Sequence, residues 1–142
     1  MTTMRHLLDR KGRSVYSIAP EAPVLEAIRA MAEYHVGALL VMRGAELLGI
    51  VSERDYARKV ILKGRSSSAT PVADIMSSPV TTVAPATSVE EAMRIMTDRR
   101  IRHLPVTEDR RVAGVISIGD LVKAVIEDQQ QTIEQLESYI HR

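Results

Sequence analysis

Gly49-Ile50-Val51-Ser52-Glu53-Arg54-Asp55 returns further along the chain as Gly114-Val115-Ile116-Ser117-Ile118-Gly119-Asp120. Both stretches read glycine, two aliphatics, serine, two variable residues, aspartate. An aliphatic run that ends on Ser, with an acid three residues later, is a strand feeding directly into a capped helix. Working outward, a shift of 65 residues aligns 15–55 with 80–120 without a gap, and 13 of the 41 pairs are identical. Average composition would give about two or three. The chain is therefore an internal duplication.

Each copy predicts the same elements. Val15-Tyr16-Ser17-Ile18 and Val80-Thr81-Thr82-Val83 are β-prone runs closed by Ala-Pro. A helix follows, begun near Pro23 in one copy and capped by Thr87 or Ser88 in the other. Val24, Ala27, Ile28 and Met31, and again Val89, Ala92, Met93 and Met96, recur at helical spacing. Two hairpin strands come next, 38–42 with 47–51 and 103–107 with 112–116, and then the helix opened by Ser52 or Ser117. The expected fold class is α+β, with two βαββα repeats. A copy of about 50 residues buries too little apolar surface alone, so the two are expected to pack through their sheets with pseudo-twofold symmetry. The expected boundaries are a lead over 1–14, repeats over 15–62 and 80–126, a linker and lead-in over 63–79, and an amphipathic helix over 127–142. Ile126, Ile133, Leu136 and Ile140 form a narrow stripe on that last helix, which fits either folding back on its own domain or a subunit contact.

Composition excludes several functions. The 142 residues carry 19 Lys+Arg against 18 Asp+Glu, so no basic field points to nucleic acid or an anionic membrane. With no Cys there is no thiolate metal site or cysteine nucleophile, and with no Phe or Trp and only four Tyr a stacking platform for single strands is not expected. His6, His35 and His141 lack ligand spacing. No Ser–His–Asp-type set is recognisable, so an enzyme is not expected. No apolar run approaches the roughly 20 residues that span a bilayer. A secretory signal pattern is missing too, and a cytoplasmic location is expected.

Two readings of Ser-x-x-Asp stand side by side. Ser and Asp can simply satisfy amides at a helix start. The same geometry can also bind a ligand, because a helix N-terminus draws phosphate and a carboxylate suits the two donor hydroxyls of a ribose.

The duplicated motif, Met76-Ser77-Ser78-Pro79-Val80 and Arg102-His103-Leu104-Pro105-Val106 together resemble a tandem pair of CBS domains, or Bateman module. Ser52-Glu53-Arg54-Asp55-Tyr56 and Ser117-Ile118-Gly119-Asp120-Leu121 especially resemble the motifs of small stand-alone bacterial CBS-domain proteins. The resemblance covers about residues 15–126. It implies a regulatory protein binding AMP, ADP, ATP, S-adenosylmethionine or NAD(H) in clefts between the repeats, with no obligatory cofactor and no turnover. Asp55 and Asp120 would hold ribose hydroxyls, with Ser52 and Ser117 near the sugar or phosphate. Backbone around Ser17-Ile18 and Thr82-Val83 would meet the adenine edge, and Ile18, Val83, Val51 and Ile116 would cover its faces. Arg102 and His103 would reach phosphate, although a surface charge and a pocket-edge histidine fit the same residues. Gly37 and Ala38 would leave room in the first copy, and Arg54 would either add charge there or stay solvated. A homodimer and an effector protein complete the expected partners.

Overall fold

A computed structural model describes residues 1–141, so the end of the expected 127–142 segment, Arg142, lies outside the described residues. In chain order the elements are α1 (Met4–Lys11), β1 (Ser17–Ile18), α2 (Val24–Tyr34), β2 (Ala38–Arg43), β3 (Glu46–Ser52), α3 (Glu53–Tyr56), α4 (Val89–Arg99), β4 (His103–Glu108), β5 (Arg111–Ser117) and α5 (Ile118–Ile140). A π-helical turn over Ala57–Ile61 follows α3, and a 3-10 turn covers Val72–Asp74. The chain divides into two compact halves: Val15–Thr81, and Met1–Ser14 together with the chain from Thr82 onward.

The duplication holds element by element. α2 and α4, β2 and β4, and β3 and β5 each begin and end at positions related by the same 65-residue shift. Ala38 lies opposite Ser52 and His103 opposite Ser117, with a register shift after Val41 and after Val106. Both first helices end on a left-handed residue, His35 (φ 56°) and Arg100 (φ 55°), whose amides bond the carbonyls of Met31 and Met96. Ser88 is the residue that caps α4, through its bond from the Glu91 amide, while Thr87 Oγ1 accepts from Ala84 N.

The copies differ at the first strand. β1 is two residues long, shorter than the expected 15–18, and pairs parallel to β2. In the second half only Val83 bridges Val106. Proline explains the loss: Leu40 N donates to the Tyr16 carbonyl at 3.1 Å, but its counterpart Pro105 has no N–H to give.

Each half has its own apolar core. Val24, Ala27, Met31, Leu39, Val41, Val51, Val60, Val72 and Ile75 form the first. The second is built from Val83, Val89, Ala92, Met96, Leu104, Val106, Ile116, Leu121 and Ala124, and α1 completes it through Met4, Leu7 and Leu8. Large aliphatic side chains buried this fully contribute about 1.5–3 kcal/mol each. The lead over 1–14 is thus a structural part of the second half, and residues 72–77 of the linker are part of the first. Glycine makes both dockings possible. A Cβ on Gly114 would lie 2.5 Å from Leu8 Cδ2, and one on Gly49 would lie 2.7 Å from Met76 Sδ and 2.9 Å from the Ser77 carbonyl. The expected boundary between 126 and 127 falls inside α5, which runs without a break for 23 residues. No Gly or Pro follows Gly119 to interrupt it.

Candidate functional site

The β3–α3 and β5–α5 junctions carry the two motifs. In the first, Ser52 N and Ser52 Oγ donate to Asp55 Oδ2 at 2.9 and 3.0 Å, and Asp55 N donates back to Ser52 Oγ at 3.2 Å. In the second, Ser117 N donates to Asp120 Oδ2 at 2.8 Å and Asp120 N to Ser117 Oγ at 3.2 Å. Both are reciprocal capping boxes, each worth about 1 kcal/mol. The first helical amide is occupied as well: Glu53 N donates to the Gly37 carbonyl and Ile118 N to that of Arg102. Capping is therefore a demonstrated role of both motifs. It fixes the carboxylates in one orientation.

Two lysines meet these carboxylates. Lys59 Nζ lies 3.3 Å from Asp55 Oδ1 and donates to the Ile75 carbonyl at 2.9 Å. Lys11 Nζ lies 2.6 Å from Asp120 Oδ2 and donates to the Val115 carbonyl at 2.9 Å. Neither was among the expected site residues. Lys59 had a legible signal, its i,i+4 spacing from Asp55. Lys11 had none, since it stands 109 residues from its partner.

Charge is concentrated at the second junction. Partial burial raises the Asp120 carboxyl, but Lys11 and the Ser117 bonds outweigh it and bring the group below the ordinary range. Burial likewise pushes the His103 imidazolium down, with Lys11 and Arg102 adding repulsion that Asp120 only partly offsets. His103 is thus neutral at pH 7, able to donate from one ring nitrogen and accept at the other. Arg102 is exposed.

Ser52, Asp55 and Ala38 come together at one junction, and Ser117, Asp120, His103 and Arg102 at the other. Ser17 and Ile18 stand on the far edge of β2 from Ser52, paired with Leu40 and Val41. Val83 stands likewise across β4 from Ser117. Ser17, Thr82 and Arg54 are exposed and Ile18 is half-buried. The expected adenine walls need correction. Val51 and Ile116 are 1% and 0% exposed and Val83 is 6% exposed, because their strand faces are spent on the cores of their own halves. Of the four proposed, Ile18 retains surface to offer. Among the described residues no acid–histidine group could hold a metal, and no helix is long and apolar enough to cross a membrane.

Residues 11–62 and 72–127 each match the CBS domain. The chain belongs to the CBS domain family. It is 41% identical over 98% of its length to the CBS domain-containing protein CBSX3, mitochondrial, of Arabidopsis thaliana, covering 72% of that protein. Among solved structures it is similar to a signal-transduction protein with CBS domains from Burkholderia ambifaria, at 50% identity and TM-score 0.87, covering 90% of this chain and 96% of that one. A CBS domain protein from Pyrobaculum aerophilum, solved in complex with AMP, is 27% identical with TM-score 0.75, covering 84% of this chain and 89% of that one. Both matched regions are CBS domains, so the described fold is that of a CBS pair.

Proposed function

We propose that this CBS pair is a cytoplasmic regulatory protein that binds an adenine nucleotide (AMP, ADP, ATP or NAD(H)) and signals to an effector without catalysis. The observation that carries the reading is the pre-orientation of Asp55 and Asp120 by identical capping boxes in both repeats. A carboxylate held in one direction accepts a sugar diol with little ordering cost. The AMP complex of the Pyrobaculum aerophilum relative supports an adenosine ligand. Phosphate falls to the second half, where Arg102 offers a forked donor and His103 a neutral one, with Lys11 beside them. The first half has Gly37 and Ala38 at the corresponding positions and is the weaker phosphate site. Self-association into a homodimer belongs to the same proposal.

A second reading, a ligand-independent interaction module, is favoured by one specific fact: each aspartate already has a cap and a lysine to satisfy it. Titration calorimetry with AMP, ADP, ATP, NADH and S-adenosylmethionine separates the two. The sensor reading expects binding that Asp55→Ala and Asp120→Ala each weaken about tenfold or more, from loss of hydrogen bonds to a charged acceptor. A thermal shift matching about 2.7 kcal/mol at one hundred times the dissociation constant accompanies it. No heat and no shift with any of the five would leave the interaction module.

A further inference from the structure

The two faces of α5 have different fates. Leu121 and Ala124 are buried in the second core. Near that side the helix is also held by its own chain, Arg10 pairing with Glu127 at 3.1 Å and Thr2 Oγ1 donating to Asp128 at 3.1 Å. Away from it, Val122, Ile126, Ile133, Leu136 and Ile140 are exposed. With Gln129 in the remaining place, they alternate in steps of four and three along the helix. This spacing is a heptad pattern, with Ile126, Ile133 and Ile140 at a and Val122, Gln129 and Leu136 at d.

Charge sets the orientation in which two such seams fit. Lys123 and Glu137 both occupy e positions, and neither has an ion-pair partner among the described residues. From 124 to 140 the helix carries Glu127, Asp128, Glu134 and Glu137 and no Lys or Arg. Two parallel copies would set these acids level with one another and leave both Lys123 residues without an acid across the seam. In an antiparallel pair e faces e, so Lys123 of each copy meets Glu137 of the other. The apolar layers agree with that register: Ile126 against Leu136, Ile133 against Gln129 and Ile140 against Val122 are all symmetric about position 131. Opposed helix dipoles favour the same arrangement.

We infer that the exposed seam of α5 docks on the same seam of a second copy of this chain, antiparallel, about a twofold axis beside residue 131. This rests on the proposed self-association and names its surface and register. The interface is isologous and closes on itself, so it makes a dimer and not a filament.

The chain has no Cys, so introduced thiols report alone. Wild-type protein is weighed by light scattering at tens of micromolar. Val122→Cys and Ile140→Cys proteins are then oxidised separately and mixed, since only residues with Cα atoms about 4.4–6.8 Å apart can join. The expected result is twice the 15.7 kDa chain mass for the wild type and a cross-linked dimer from the mixture alone. Monomer mass would overturn both self-association and the pairing. A dimer that gives no cross-link would overturn the pairing and leave self-association standing. Ile140→Cys joining to itself would overturn the antiparallel register in favour of a parallel one.

Discussion

Asp55 and Asp120 close the same short loop on their serines, yet their lysines arrive by opposite routes. Lys59 belongs to the repeat, one helical turn beyond Asp55, and reaches out to the Ile75 carbonyl on the segment that covers Gly49. Lys11 belongs to the covering segment α1, and reaches in to Asp120 and to the Val115 carbonyl in β5 beside Gly114. In both halves a lysine links the motif carboxylate to the segment packed on the strand glycine. Duplication preserved the outcome and not the wiring. The consequence for the proposed ligand differs: in the second half a diol that took Asp120 would compete with the tether of α1, whereas in the first it would compete with a neighbour on the same helix.

The largest way to break the comparison is to remove what seats α1. Leu8 is 1% exposed and fills the space above Gly114, so Leu8→Ala leaves a cavity and is expected to cost about 2–5 kcal/mol in urea unfolding. Met76→Ala, its counterpart over Gly49, is expected to cost less, because Met76 is only half-buried. Equal losses would mean that the two covering segments are energetically alike and that α1 is not the more deeply integrated.

His103 sharpens the contrast next, since the first half has Ala38 in its place. Its folded-state proton affinity lies below the ordinary value of 6.5, so the unfolded chain binds more protons in the window below that value. The resulting stability is complete above about pH 6.5 and is lost as pH falls through the window, with a slope of at most about 1.4 kcal/mol per pH unit for one proton. Asp120 also lies below its ordinary value, 3.8, and its contribution is lost only as pH falls below that. Thermal unfolding of His103→Asn against pH is expected to flatten the upper limb and keep the acid one. An unchanged upper limb would show that burial and Lys11 do not set the imidazole. An anionic ligand would act in the opposite sense, raising the proton affinity of His103, so a ligand whose phosphates do not themselves titrate in this window, such as NAD(H), is expected to bind more tightly as pH falls from 7 to 6.

The repeat was legible because identities at a fixed shift report element order, helix faces and hairpin register together. The capping boxes were legible too, since the contact from Ser52 to Asp55 is local. What could not be read was which segment completes which half. Residues 1–14 and 72–77 look alike as short leads, and nothing in Leu8 or Lys11 points 100 or more positions downstream. Val51 and Ile116 were misplaced for a related reason. Alternation assigns them a face, but whether that face meets a core or a ligand depends on what packs over it.

The smallest effects test the wiring itself. Lys59→Met removes an i,i+4 pair whose side chains are only partly exposed, 43% for Lys59 and 16% for Asp55, and is expected to cost within about 0.2–1 kcal/mol. Lys11→Met also removes a pair with partly exposed side chains, 39% for Lys11 and 26% for Asp120, so water screens it and the cost stays within about 0.2–1 kcal/mol. Stability alone separates them poorly. Hydrogen exchange separates them well, because a tether and a local pair loosen different stretches of backbone. Lys11→Met is expected to speed exchange throughout α1 while 72–77 stays protected. Lys59→Met should spare α1 and act, if anywhere, on the amides of Ile75, Met76 and Ser77, which bond the Val72 and Ile50 carbonyls. Identical exchange maps for the two variants would mean that neither lysine ties its segment down, and that apolar packing on Gly49 and Gly114 does so alone.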